Sequence, residues 1–107
     1  MDNEVTIREW TSDASGDATV DFSGFAGREV NWVKTIPGSG VSSYDLLLND
    51  VDDFDWLTGE GLARSATAPE IIFAELKRVV LPNGDLTFVV SGAGNTVTGT
   101  IKVSLKI

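Results

Sequence analysis

The C-terminal stretch Leu86-Thr-Phe-Val-Val-Ser-Gly-Ala-Gly-Asn-Thr-Val-Thr-Gly-Thr-Ile-Lys-Val-Ser-Leu-Lys-Ile107 decides the fold class. Leu86, Phe88 and Val90 alternate with Thr87, Val89 and Ser91. After Gly92-Ala-Gly-Asn95, the residues Val97, Gly99, Ile101, Val103, Leu105 and Ile107 alternate with Thr96, Thr98, Thr100, Lys102, Ser104 and Lys106. A period of two is the period of a strand, so each run has one apolar and one polar face. The glycine-rich break between them suggests a two-faced antiparallel hairpin.

The same rhythm extends toward the N-terminus. Val5, Ile7 and Glu9 alternate with Thr6 and Arg8 in a first strand ending near Trp10, and Ser12-Asp-Ala-Ser-Gly-Asp17 is a turn. Ala18, Val20 and Phe22 alternate with Thr19, Asp21 and Ser23 in a second strand, closed by Gly24 and Gly27. From Arg28 to Ile36, Val30, Trp32 and Lys34 stand opposite Asn31, Val33 and Thr35, which assigns Trp32 to the core with Val30. Pro37-Gly-Ser-Gly40 reverses the chain into a strand over Ser43–Asn49, with Tyr44, Leu46 and Leu48 on one face. Residues 60–69 are mostly small and predict a loop over the rim of a sheet. Glu70–Leu81, held between Pro69 and Pro82, fits a helical face at Ile72, Leu76, Val79 and Val80. Its Ile71-Ile-Phe and Val79-Val-Leu runs favour one bent strand or two short ones, with a helix as the alternative. Pro82-Asn-Gly-Asp85 carries a hairpin signal. About seven strands and no repeat predict an all-β fold: one antiparallel β-sandwich or small barrel spanning residues 1–107.

Composition narrows function by exclusion. Sixteen acidic against eight basic residues give a net charge of −8, which repels phosphate backbones and argues against nucleic acid as a ligand. No cysteine means no disulfide, thiolate metal site or cysteine nucleophile, and no histidine removes the commonest general base and zinc ligand. No window approaches the ~18 apolar residues of a membrane helix, and the opening Met-Asp-Asn-Glu lacks the apolar segment of an export signal. The expectation is a soluble, unexported protein without catalytic residues, cofactor or metal. Three Trp, five Phe and one Tyr nevertheless accompany a slightly positive mean hydropathy, more apolar surface than a lone acidic domain should expose.

The turn Asp50-Val-Asp-Asp-Phe-Asp-Trp56 is the candidate contact site. Four aspartates surround Phe54 and Trp56, aromatic groups that a loop of a small domain can hide only in part. Tyr44, Asp52, Phe54, Asp55 and Trp56 are the residues singled out for an interface. Calcium binding in an EF-hand register fails: with Asp50 as first ligand, Phe54 stands where an oxygen is required and Asp55 where glycine is required. Paired carboxylates for glycoside hydrolysis carry no signal in a chain with so many acids. Trp10, Trp32 and Trp56 invite a sugar-stacking platform, with Trp56 the surface candidate. Gly38-Ser-Gly40 and Gly92-Ala-Gly94 have no Lys-Ser/Thr and helix behind them, so phosphate cradling is not indicated.

Two segments, Tyr44-Asp-Leu-Leu-Leu-Asn-Asp50 through Asp55-Trp-Leu-Thr-Gly59, and Asn83-Gly-Asp-Leu-Thr-Phe-Val-Val-Ser-Gly-Ala-Gly94 with Thr98-Gly-Thr-Ile-Lys-Val103, resemble small β-rich virion proteins of tailed bacteriophages. The likeness lies in short alternating strands, Asn-Gly-Asp and Gly-Ala-Gly turns, and abundant Thr and Val. It implies a structural virion protein, made and assembled in the bacterial host cytoplasm, most in keeping with a capsid cement or decoration protein. Its expected partners are the major capsid protein or other virion proteins, and its expected state a symmetric homo-oligomer, a trimer. A carbohydrate-binding β-sandwich module, or a tail or baseplate component, is the alternative.

Overall fold

The computed structural model describes residues 3–23, 29–50, 52–57, 59–73 and 86–106. Among them run seven strands: β1 (Asn3–Thr11), β2 (Ala18–Phe22), β3 (Glu29–Pro37), β4 (Asp45–Asn49), β5 (Glu70–Phe73), β6 (Leu86–Ser91) and β7 (Thr98–Lys106). They form two antiparallel sheets, one ordered β1-β7-β3-β5 and the other β2-β6-β4. Side chains from both sheets build one apolar core, so the fold is a β-sandwich. The expected strand over Glu70–Leu81 is seen as β5, and its remainder lies outside the described residues. So do the Gly24–Gly27 and Pro82–Asp85 turns, Arg28 and Ile107.

The alternation of β6 and β7 places their faces as expected, but the two strands are not a hairpin. β6 pairs with β2 and β4, whereas β7 pairs with β1 and β3. The Gly92–Val97 segment therefore carries the chain from one sheet into the other. Leu86, Phe88 and Val90 of one sheet and Ile101, Val103 and Leu105 of the other are all buried in the same core. Alternation reports which side chains face inward and is silent on which strand is the neighbour.

Trp32 departs from its assignment to the core. Val30 stands opposite Leu105 but Trp32 stands opposite Ser104, so Asn31 is the extra residue of a bulge. An extra residue shifts the alternation by one, and after it Val33 and Thr35 point inward. Trp32 and Lys34 are turned to the outer face, where both are half-buried.

The edges of the two sheets are treated differently. The free edge of β4 is covered by the loop after it: Trp56 N–H donates to Leu48 C=O, Leu46 N–H to Gly61 C=O, and Tyr44 and Arg64 exchange both of their backbone bonds. This contact demands glycine at position 61, because a Cβ there would fall 2.1 Å from the Leu46 carbonyl oxygen. Residues 60–64 thus run along a strand edge and give it hydrogen-bonding partners. No described strand lies along the free edge of β1.

At the centre of the core, Trp10 lies over Gly99, its partner across the β1–β7 ladder, and its ring is tilted against Tyr44 at 5.7 Å between centroids. The Tyr44 hydroxyl shares a short hydrogen bond with Thr35 Oγ1, linking the two sheets through buried polar atoms. A Cβ at position 99 would lie 2.4 Å from the indole ring. Gly99→Ala is therefore expected to destabilise the fold by about 1–3 kcal/mol through overpacking. Urea unfolding checks this, and an unchanged midpoint would show that Trp10 is not seated on β7.

Candidate functional site

The acidic turn begins where β4 ends, and its first aspartate organises it. Asp50 Oδ1 accepts from the backbone N–H of Asp52 (2.8 Å) and Phe54 (3.1 Å), while Oδ2 accepts from Trp56 Nε1 (3.1 Å). Asp50 N–H donates to Phe54 C=O, and Asp53 N–H to Asp50 C=O, with Asp53 in the left-handed region at φ 61°. Aspartate tolerates that conformation better than most residues because its short polar side chain can bond locally. Asp55 fixes the far side: Oδ1 accepts from Leu48 and Leu57 N–H, and Oδ2 from Gly59 N–H. Two of the four aspartates are therefore occupied in holding the turn's own backbone. Asp52 and Asp53 are exposed.

The five residues singled out for an interface separate into two groups. Phe54 (48% exposed) and Asp52 lie on the surface, and Asp55 is half-buried within the hydrogen bonds just described. Tyr44 and Trp56 are buried at 2% and 5% exposure, which corrects the expectation of a surface Trp56. An indole can enter a core when its N–H finds an acceptor, and the Asp50 carboxylate supplies one. Phe54 packs edge-on against Trp56, with ring centroids 6.4 Å apart and planes at 83°. The turn thus presents one aromatic ring supported by a second, buried one.

A second exposed apolar region was not anticipated. On the outer face of the four-stranded sheet stand Val5 (44% exposed), Ile7 (54%) and Ile71 (51%), with half-buried Trp32 and Ile36. Lys34 and Lys102 face each other between them. The available signal was the phase of β1: Trp10 shares its parity with Thr6 and Arg8, so a buried Trp10 sends Val5 and Ile7 outward. Beneath this face the Ser104 hydroxyl is fully buried with no hydrogen-bond partner among the described residues.

Two side chains have displaced acidities. Burial pushes the Asp50 carboxyl up, but the hydrogen bonds from Phe54 N–H, Asp52 N–H and Trp56 Nε1 together outweigh it and hold it below the usual carboxylate value. Burial pushes the Tyr44 hydroxyl up; its bond to Thr35 opposes this, the Glu70 charge adds to it and the Arg64 charge opposes it. The Asp50 shift marks structural hydrogen bonding, and the Tyr44 shift marks burial. No three Asp or Glu side chains among the described residues converge to hold a metal ion. An open depression of about 370 Å³ is lined by Asp21, Phe22, Ser23, Leu86 and Thr87, and the Asp21 carboxylate already accepts from the Thr87 hydroxyl. No protein-family model matches the chain, and no curated protein matches it.

The lowered acidity of Asp50 fixes a pH dependence. A carboxyl whose folded pKa lies below its unfolded value, near 3.9, contributes stability that is present above that value and lost as pH falls through the folded pKa. Asp50→Ala is expected to cost about 1–2 kcal/mol at pH 7, because Trp56 Nε1 loses its acceptor, and to make unfolding less acid-sensitive below about pH 4. Urea melts of both proteins at neutral and acid pH test this. Equal acid sensitivity would show that Asp50 does not hold the turn as a carboxylate.

Proposed function

We propose that this chain is a structural virion protein of a tailed phage, of the capsid cement or decoration type, which binds the shell as a symmetric oligomer and stabilises it. The observation that carries the reading is the exposure of large apolar side chains among the described residues: Phe54 on the acidic turn, Leu62 on the loop after it, and Val5, Ile7 and Ile71 on one sheet face. Large apolar side chains held exposed on a folded scaffold are suited to protein contact. Further support comes from the resemblance in strand and turn texture. A cement protein needs no bond-making chemistry: it adds buried area across neighbouring shell subunits and so raises the cost of separating them.

In this reading Phe54 is the anchor at the turn, with Asp52 and Asp53 beside it orienting the protein against a basic shell surface. Trp56 supports the anchor from below, so its truncation would damage the core as well as the contact. A glycan-binding module is supported less well, since Trp10 and Trp56 are buried and only Trp32 of the three keeps an appreciable exposed surface. A tail or baseplate position would use the same surfaces.

The test is rebinding to particles stripped of the protein, followed by heat release of the genome. Phe54→Ala is expected to weaken binding by about 1–2 kcal/mol or more, as truncation of an interface anchor does. Asp52→Asn should act mainly on association rate and salt dependence. Unimpaired binding of Phe54→Ala would remove the turn from the docking surface. Equal heat stability of particles with and without the protein would overturn the cement role.

A further inference from the structure

β1 is a nine-residue edge strand, and it carries two exposed aliphatic side chains on its outer face together with an acid and a base on its inner one. Its ladder with β7 sets Thr6 opposite Val103 and Arg8 opposite Ile101, both partners buried, so Glu4, Thr6 and Arg8 share the inner side. Val5 and Ile7, opposite Ser104 and Lys102, share the outer side. On its other flank no described strand accompanies it, so alternate backbone N–H and C=O groups there have no ladder partner among the described residues. An edge of this length is a template for another strand, whereas the free edge of β4 is covered by its own loop.

We infer that the partner of this edge is β1 of a second copy, paired antiparallel about a two-fold axis through Thr6, so that two four-stranded sheets join into one of eight. A two-fold perpendicular to the sheet keeps outer faces together only when the axis passes through a residue, since a one-residue slip sends every side chain to the other face. Centred on Thr6, the register sets Val5 against Ile7 of the second copy and Glu4 against Arg8 of the second copy, each pair occurring twice by symmetry. Neighbouring centres lose this match. Centred on Val5, Ile7 meets Asn3 and Glu4 meets Thr6; centred on Ile7, Val5 meets Glu9 and Arg8 meets Thr6. Centring on Glu4 or Arg8 opposes like charges at the axis. The Val5 register does set Val5 against Val5 and Arg8 against Asp2, but the Thr6 register is the one that pairs both Val5 with Ile7 and Glu4 with Arg8, the combinations that stabilise cross-strand neighbours.

Arg8 is placed for this arrangement. Its guanidinium lies 5.4 Å from the centroid of the Phe22 ring, on β2 of the facing sheet, so the charge sits at the open side of the sandwich beside the edge. Charged residues on the inner side of an edge strand also discourage unregistered pairing. Here the same two residues favour the Thr6 register and oppose those centred on Glu4 or Arg8. The resulting contact is isologous and closes at two copies, in place of the three that the resemblance implies. The inference deepens the oligomer expected of a cement protein, but it stands on the strand alone and needs no particle for its test.

The experiment combines light scattering during size exclusion with cross-linking, at about 0.15 M salt, where repulsion between the net −8 copies is screened beyond roughly 8 Å. At about 50 µM the chain is expected to be a dimer, as for a micromolar or tighter interface. The chain has no cysteine, so Thr6→Cys can form a disulfide only between copies, and mild oxidation should cross-link it far faster than Thr19→Cys on exposed β2. Arg8→Glu and Glu4→Arg should each weaken the dimer about tenfold or more by turning two attractive pairs repulsive, and the double exchange should largely restore it. A monomeric or trimeric parent protein overturns the inference. So does Thr6→Cys cross-linking no faster than the control, or a double exchange no better than the single ones. Should Arg8→Glu unfold the sandwich through loss of its stacking on Phe22, the cross-linking result decides. A dimer that passes these tests yet fails to bind particles would count against the cement reading alone.

Discussion

The fold depends on one corner, where the chain leaves β6 in one sheet and enters β7 in the other. Ser12 holds it: its hydroxyl donates to Gly94 C=O at 2.6 Å and accepts from Val97 N–H at 2.9 Å, and its own N–H donates to Val97 C=O. Two further loops close on the same point. Ala93 N–H donates to Gly16 C=O, Ser42 N–H donates to Ala93 C=O, and Thr96 N–H donates to Asp13 C=O. Buried backbone polar groups must be paired, and here three loops satisfy one another while Ala93 is fully buried among them. Gly16 is required by this approach. It sits at φ 86°, and a Cβ on it would lie 2.8 Å from Gly94 N. The chain has no cysteine to form a disulfide, and the geometry of the sandwich rests on this knot and on the core beside it.

From the corner follows which edges and faces are available to partners. β6 and β7 become the inner strands of two different sheets, leaving β1, β5, β2 and β4 at the edges. The loop carrying the acidic turn then serves two ends at once: its backbone covers β4, and its tip holds Phe54 outward on the buried ring of Trp56. The same aspartates that read as a charged surface are largely structural. Asp50 and Asp55 between them accept six hydrogen bonds. Phe54, Asp52 and Asp53 remain exposed at the turn.

Much of the fold was legible because alternation is a strong local signal. It located β2, β4, β6 and β7 and gave the inward residues of each. What it missed depends on contacts distant in sequence or on a single extra residue. A glycine-rich break such as Gly92–Asn95 is equally compatible with a hairpin and with a crossing between sheets, because the partner of β7 is set by β3, some seventy residues earlier. The bulge at Asn31 inverted the phase of β3 without leaving a compositional mark, and so moved Trp32 outward. Trp56 was misplaced because an indole in an acidic loop looks exposed until its acceptor is known. The aromatic that the candidate turn exposes is therefore Phe54, with Trp56 beneath it.

The crossing between sheets is the claim on which the remaining surfaces rest, and backbone contacts in solution measure it directly. Solution NMR with assigned Hα and amide protons should show β7 in contact with β1 and β3, as in Trp10 with Gly99 and Val33 with Val103, and β6 with β2 and β4, as in Val20 with Phe88 and Leu46 with Val90. Antiparallel backbone contacts between Leu86–Ser91 and Thr98–Lys106 would mean that the two strands form a hairpin. In that case β1 would no longer be placed as an edge beside β7, and the arrangement of faces described for this protein would be wrong.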